Sequence, residues 1–504
     1  MPRIRKISII LSSIFILVGC AVGPNFKKPE YKANEQFRTI TATDTSLNMQ
    51  WWNFYNDPIL DTLIVKALNN NKNLLMAAAR IQQAKANLGM VRSDQFPKFN
   101  INAGILGGNY FGGNYLGNTN QFNWGVTPEL NWELDFWGKF RRASEAARAN
   151  LVSSIYGHRS IQMSLIADIA KNYFLLLDYK RRLVIAKNTY EARDSSELII
   201  QARYDRGYAP EIDLNQAQIQ TAISQSQIPV YERSIATLEN NISVLLGENP
   251  HEIVTNGDLF DFPIPDTIPS AVPSLLLKRR PDILAAEADL HEQVARVGVA
   301  QAMRFPSFTI GGGIGIASNF SLIGLGWNVG ATLFGPLFQF NKNKRRMEVE
   351  KFKADEVAFK YEQTVLQAFE EVENNLITIQ KLKEELEARS KHMTAAQNAE
   401  KLSLERYNKG VTSYLEVLES QKQSFDAQLQ YTRIYQELLS YYILLYKSLG
   451  GGWITPEELK EAQDKNILYK EYIIPYHDLP AKERRKAEKE AKKKAKAEKK
   501  SSKK

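Results

Sequence analysis

The sequence predicts a mainly α-helical fold with a small β-barrel part, built from two structural repeats in one chain. Three observations carry this. The first is internal duplication. Phe96-Pro97 recurs as Phe305-Pro306, and Ala86-Asn87-Leu88-Gly89 as Ala295-Arg296-Val297-Gly298, both 209 residues on. From Trp124 and Trp327 onward the offset is 203, which pairs Arg203-Tyr204-Asp205-Arg206-Gly207 with Arg406-Tyr407-Asn408-Lys409-Gly410 and Leu246-Gly247 with Leu449-Gly450. One connection, between Pro97 and Trp124, is therefore six residues longer in the first copy. The second observation is a pair of very long helical stretches, and the third is a set of four short alternating segments.

The chain begins with an address. Arg3, Arg5 and Lys6 precede an apolar run from Ile7 to Val18, too short and wrongly flanked for a spanning helix. The run ends in Leu17-Val18-Gly19-Cys20, which resembles the bacterial lipobox, so residues 1–19 are expected to be a lipoprotein signal peptide and Cys20 the acylated residue. Ala21 follows in place of the Asp that retains some lipoproteins at the inner membrane. Two or three acyl chains make a stable anchor. Residues 20–57 then form an N-terminal anchor segment.

Each copy reads alike. A helical segment, Pro58–Asp94 or Pro281–Arg304, stops at Phe-Pro, because the residue before proline is steered out of the helical region. Two segments of period-two alternation follow. From Phe122 to Leu134 the even positions are apolar or proline and the odd ones polar or glycine; Trp327, Val329, Ala331, Leu333 and Leu337 alternate similarly. Phe99, Ile101, Ala103 and Ile105, then Phe308, Ile310 and Ile314, complete four strands. No stretch after the signal is apolar and long enough to be a transmembrane helix, so these strands are the one route across a membrane. Four cannot close a barrel, since bacterial barrels start at eight, and several subunits must contribute.

Arg141–Arg206 and Lys344–Lys409 are then proline-free and 66 residues each, about 100 Å of helix at 1.5 Å per residue. Ile161, Leu165, Ile169, Tyr173, Leu176 and Leu183 mark an apolar stripe at helical and heptad spacing. Turns at Gly207 and Gly410 lead into returning helices of roughly 60 Å, ending at Gly247 and Gly450. The repeats are thus expected at 58–249 and 275–453, with strands near 98–134 and 307–338, joined by a Pro-rich linker at 250–274. A C-terminal segment, 454–480, and a Lys-rich tail, 481–504, follow.

Composition excludes several functions. The net charge of +9 resides in the last 24 residues, with 13 Lys/Arg against 4 Asp/Glu; Met1–Pro480 has 52 of each sign. A basic nucleic-acid groove in the body is disfavoured, and the tail reads as solvated or disordered. A single cysteine rules out an intramolecular disulfide framework and a Cys-cluster zinc site. The five histidines never adopt a paired ligand spacing, no HExxH, GxSxG or Walker pattern occurs, and the 8 methionines are not clustered. Gly311-Gly312-Gly313 follows a strand with no helix to open, so it reads as close packing rather than a phosphate cradle. No enzyme, metal site or cofactor is expected beyond the covalent lipid on Cys20.

Several motifs resemble the outer membrane factors of tripartite efflux pumps, the TolC-like channels, and their lipoprotein branch in particular. They are Cys20-Ala21-Val22-Gly23-Pro24-Asn25-Phe26, Trp51-Trp52-Asn53-Phe54-Tyr55-Asn56-Asp57-Pro58, Arg279-Arg280-Pro281-Asp282-Ile283, Phe305-Pro306-Ser307 and Leu449-Gly450-Gly451-Gly452-Trp453. The resemblance implies the outer membrane efflux protein fold: a homotrimer with a twelve-stranded β-barrel in the outer membrane, continuous with a twelve-helix α-barrel in the periplasm. It implies lipid anchoring, a periplasmic membrane-fusion adaptor and an inner-membrane transporter as partners, no nucleic acid, and passive export of small toxic molecules such as drugs, dyes, detergents or metal ions. The alternatives are an outlet for type I protein secretion and a non-conducting envelope tether.

By the same resemblance the adaptor-docking tips are Arg203, Tyr204, Gly207 and Tyr208 in the first copy and Arg406, Tyr407, Gly410, Val411, Thr412 and Ser413 in the second. The first departs from the pattern, with Tyr208-Ala209-Pro210 after its glycine. Both glycines also read simply as left-handed residues closing helical hairpins. The pore gate maps to Leu415 and Glu419, with Glu416 and Asp213 nearby. Three like carboxylates around one axis favour proton or cation uptake; a solvated outer helix face is the other reading of Glu416 and Glu419.

Overall fold

A computed structural model describes residues 21–31, 37, 51–109, 120–265, 273–318, 323–336 and 338–451. Cys20, Leu337, Trp453, the signal and the tail lie outside the described residues. Met1–Trp453 is one compact unit; the second, Ile454–Lys504, falls wholly outside them.

The two copies superimpose in sequence element by element. After a short turn at Trp51–Tyr55, the first copy runs α1 (Pro58–Asn70), α2 (Lys72–Ser93), β1 (Lys98–Asn109), β2 (Asn120–Leu134), α3 (Lys139–Asp205) and α4 (Glu211–Leu245). The second runs α5 (Pro273–Arg279), α6 (Pro281–Ala302), β3 (Ser307–Ser318), β4 (Ile323–Phe334), α7 (Lys342–Asn408) and α8 (Tyr414–Ser448). Corresponding helices match in length: α2 and α6 have 22 residues, α3 and α7 have 67, α4 and α8 have 35.

The segment Pro58–Asp94, expected as one helix, is broken at Asn71, whose side chain accepts from Leu74 N to cap α2. Its amide also donates to Leu245 O at the end of α4 (2.8 Å). The counterpart of Asn71 is Arg280, whose side chain, unlike that of Asn71, makes no cap bond but likewise donates to the last turn of the returning helix, to Ser448 O at the end of α8 (3.2 Å). Each copy is therefore tied at this point, with α2 beginning where α4 ends and α6 where α8 ends. Pro273 opens a short helix instead of ending the linker.

The main apolar core sits midway along the long helices. Ile166, Ile169, Tyr173, Phe174 and Leu176 of α3 pack with Trp51, Tyr55, Leu60, Ile64, Ile242, Leu259 and Phe262. In α7, Val372, Leu376 and Ile379 pack with Leu276, Tyr442 and Leu445. Asp57 fixes the entry to this core. It accepts from Ile59 N and Leu60 N to cap α1, and from the hydroxyl of buried Tyr173.

The strands form one antiparallel meander, β1-β2-β3-β4, which leaves an edge open on β1 and on β4. Lys98 faces Asn131 across β1–β2, and their counterparts Ser307 and Phe334 face each other across β3–β4. The duplication thus extends to hydrogen-bond register. The glycine run of β3 is close packing: Cβ atoms at Gly311 and Gly313 would stand 3.0 Å from Asn131 Oδ1 and 3.1 Å from Pro128 O.

Candidate functional site

The sheet has one apolar and one polar face, as strand periodicity demands. Phe99, Ile101 and Ile105 of β1 and Trp327, Val329 and Leu333 of β4 are exposed in one row. Asn102 and Glu129, bonded at 2.7 Å, lie on the other face. Apolar-out, polar-in alternation is the pattern of a membrane barrel wall.

At the foot of that wall lies the N-terminal segment. Val22 N donates to Trp137 O (3.0 Å), and Ala21 abuts Gly138, whose left-handed backbone (φ 77°) leaves no space for a Cβ there. Arg142, 5% exposed, fixes the strap. It donates to Val22 O (3.3 Å), Gly23 O (3.3 Å) and Asn25 Oδ1 (2.6 Å), and to Glu145 (2.7 Å). Further along, Phe26 stacks on His291 (4.5 Å), Lys28 pairs with Glu287 (2.6 Å), and Tyr31 meets Phe369. His291 Nε2 lies 2.9 Å from Glu145 Oε1. Burial works against the Glu145 charge, but His291 and Arg142 outweigh it and hold the carboxyl below its ordinary range. The strap thus delivers the residue after Cys20 to the junction of sheet and helices.

At the far end of the long helices, Gly207 and Gly410 both adopt φ 74°, so each closes a hairpin by a left-handed residue. Tyr208 N returns to Arg203 O and Val411 N to Arg406 O, both within 3.0 Å. The two tips form one body. Ile200, Leu214 and Ala217 pack on Tyr414, Val417 and Leu418, with Tyr407 beside them. Arg203 lies over the Tyr407 ring (4.8 Å) and reaches Asn408 Oδ1 (3.4 Å). Tyr204 is exposed, and Tyr208 projects furthest, at 82% exposure; Val411 and Leu415 are also exposed. Ser413 occupies the N-cap position of α8 without a side-chain bond.

The expected gate carboxylates differ in surroundings. Glu416 is held inside its own hairpin by Thr412 and by Arg406 (3.4 Å). Glu419 is exposed and accepts from Gln423 (3.0 Å). Asp213 is half-buried, and that burial raises its carboxyl above the ordinary value. Beneath the tips lies a residue the motifs did not reveal. Arg193 is buried, donates to Gln220 O (3.0 Å) and lies over Phe425 (5.5 Å). Burial pulls its guanidinium down, against the attraction of Glu400 and Asp426. Its partners are far along the chain, so spacing alone carried no signal.

The Arg279–Ile283 motif also acquires a physical role. Arg280, buried, pairs with Asp282 (2.6 Å) and Glu371 (2.7 Å) while holding the end of α8. Ser243, His251 and Glu248 form a chain of contacts (3.2 and 3.6 Å) that superficially suggests a nucleophile and base. Ser243 Oγ, however, is buried and donates to Glu239 O, anchoring the end of α4.

A meander with an outward apolar row, a strap to an acylation motif and paired hairpin tips at the ends of long helices define an outer membrane channel component. The chain matches the family model described as outer membrane efflux protein over residues 63–248 and 272–451 and belongs to that family. It is 30% identical to SilC of Salmonella typhimurium, described as a probable outer membrane lipoprotein, over 90% of this chain and all of that one. It is 28% identical to the cation efflux system protein CusC of Escherichia coli K12, over 86% and 97%. Among solved structures, the outer-membrane channel OprN matches with a TM-score of 0.81 at 29% identity, covering 86% of this chain and all of that one. Like these relatives, the protein is an efflux channel of the outer membrane.

Proposed function

We propose that the protein, as a homotrimer, is the passive outer-membrane duct of a tripartite pump, with a periplasmic adaptor docked on its tips and an energised transporter in the inner membrane. The observation that carries this is the continuity of a half-lipidic, open-edged sheet with two helices of 67 residues that end in one joined pair of tips. Cys20 bears the covalent lipid, a reading supported by the strap on Arg142, which holds the next residue, Ala21, at the sheet–helix junction. Arg203, Tyr204, Gly207 and Tyr208, with Arg406, Tyr407, Gly410 and Val411 to Ser413, meet the adaptor. Leu415 and Glu419, supported by Glu416 and Asp213, narrow the pore. The chain catalyses nothing and needs no cofactor beyond that lipid; its cargo is small toxic molecules selected by the transporter. Names of relatives support this range, since they include a cation efflux protein and a toluene efflux pump outer membrane protein.

The test is two measurements. Deletion of the gene should raise sensitivity to dyes, detergents, antibiotics or metal salts, and purified protein in a planar bilayer should give discrete conductance steps. Unchanged sensitivity with loss of a secreted polypeptide would replace this reading with protein secretion. Absence of conductance under every condition would favour a tether.

A further inference from the structure

Two cavities meet where the helices join the sheet, away from both the tips and the strap. Four helices stand side by side there, in the order α2, α3, α6 and α7. The lower cavity, about 360 Å³, is lined from all four. A cavity touched by both end members of a row lies on the row's concave side. The N-terminal strap runs over the opposite face, on Arg142, Glu287 and His291. The upper cavity, about 310 Å³, lies between the ends of β2 and β4 and the starts of α3 and α7. Met303 and Arg346 line both, and the bond that Arg346 donates to Met303 Sδ (3.4 Å) is the partition between them.

The floor of the lower cavity is apolar, from Ala143, Ala146, Ala147, Val299 and Ala300. Its carboxylates are already matched. Glu292 accepts from Arg296 (2.5 Å) and Asn150 (2.9 Å), and Glu350 from Lys353 (2.9 Å) and Gln293 (2.7 Å). In the upper cavity Glu133 pairs with Lys139 (2.8 Å), and Asp135 with Arg141 (3.4 Å) and with the amides of Phe140 and Arg141. Two cations are left over. Lys342 and Arg346, one helical turn apart on α7, are exposed and meet no carboxylate among the described residues. A thioether is a weak acceptor, so Arg346 keeps most of its donors free for a better one.

The duplication sharpens the contrast. The counterpart of Arg346 in the first copy is Ala143, and those of Pro336 and Phe338 are Glu133 and Asp135. At these positions the second copy carries one cation more and two carboxylates fewer than the first.

An apolar floor beneath unmatched cations fits a small molecule with an apolar body and an anionic head. We propose that the two cavities are successive resting sites for amphipathic anions on the inner wall of the tunnel, the head passing from Arg346 to Lys342 as the body moves from the helices to the sheet. Residues four apart on a helix are neighbours, about 5–6 Å between Cβ atoms, so that transfer is one short step.

The proposal rests on the duct reading, and a binding measurement separates the two. Val299→Cys puts a thiol on the cavity floor of the full-length protein in nanodiscs. Its alkylation by N-ethylmaleimide is timed by mass spectrometry, with unsubstituted protein giving any background from Cys20. Sodium decanesulfonate, below its micellar concentration, should slow the reaction saturably, and decyltrimethylammonium, with the same tail and the opposite charge, should not. Added Arg346→Gln should raise the half-protecting concentration about fivefold, the upper range for an exposed ion pair, and Arg346→Lys should largely restore it. Leu198→Cys, exposed on α3 outside both cavities, should be protected by neither ion. Equal protection by the two ions, no protection, protection undiminished in Arg346→Gln, or protection of Leu198→Cys overturns the proposal. Charge-selective protection in a protein that gives no conductance would sink the duct reading and leave the site standing; conductance without protection would do the reverse.

Discussion

Replacing Arg142 with alanine should release the N-terminal strap from the helices that carry it. The guanidinium makes three hydrogen bonds to the strap, to Val22 O, Gly23 O and Asn25 Oδ1, from a site that is 5% exposed. Bonds to a charged group contribute about 1.5–3 kcal/mol each. Two of the three are long at 3.3 Å, and the freed carbonyls regain water, so the net cost of truncation is about 3 kcal/mol. The Val22 amide is a direct reporter, since it donates to Trp137 O at 3.0 Å. At 1.4 kcal/mol per decade, its hydrogen exchange should quicken about 100-fold. Amides of the mid-helix core around Tyr173 should be unaffected. Arg142→Lys keeps the charge but can reach one acceptor at a time, so it should fall between. Exchange by mass spectrometry on the purified channel decides the matter: an unchanged Val22 amide in Arg142→Ala would refute the reasoning.

Three further outcomes are expected. Burial lifts the Asp178 carboxyl to about 6 from 3.8, against the pull of Arg182 and Arg433 and with Glu437 adding to the rise. A folded-state value above the unfolded one means that its contribution is present below pH 4 and lost as pH rises through about 6, a difference of about 3 kcal/mol. Asp178→Asn should flatten stability across that window in a pH-resolved thermal melt. Arg280→Ala should cost about 3 kcal/mol, the low end for a broken buried pair because Glu371 is half-exposed and can rehydrate, and Arg280→Lys should recover about half in a urea melt. At φ near 75°, Gly207→Ala, in open space, should cost only the left-handed strain of about 1–2 kcal/mol. Gly247→Ala drives a Cβ into the Asn70 carbonyl and should cost at least about 2 kcal/mol more, measured on the same melt.

Much of this architecture was legible because it is written twice. Matching offsets located both 67-residue helices to within two residues at their start, and alternation identified Phe122–Leu134 as a strand with its apolar row outward. What escaped were features set by distant contacts. Asn71 breaks a helix without proline or glycine because its amide finds Leu245 O, 174 residues on. Arg142 is one of many basic residues at a helix start, and its role comes from a strap about 120 positions earlier. Arg193 depends on Gln220 and Phe425 across two hairpins. Glu416 had two readings by sequence, and its bonds to Thr412 and Arg406 tie it to its own hairpin.

The strap has a consequence for how a ring of such chains can deform. Every chain brings two repeats but one N-terminal segment, so in a trimer only alternate joints of the helical wall are bolted. Among the described residues, Gly138 lies beneath Ala21, whereas at its counterpart Asn341 (φ 65°) the neighbouring Phe340 is 85% exposed. Among the described residues the strap rivets the two halves of one chain together, through Arg142 of the first and Glu287 of the second. Any dilation of the tunnel should therefore move in three rigid staves rather than six, parting first at the joints that carry no rivet.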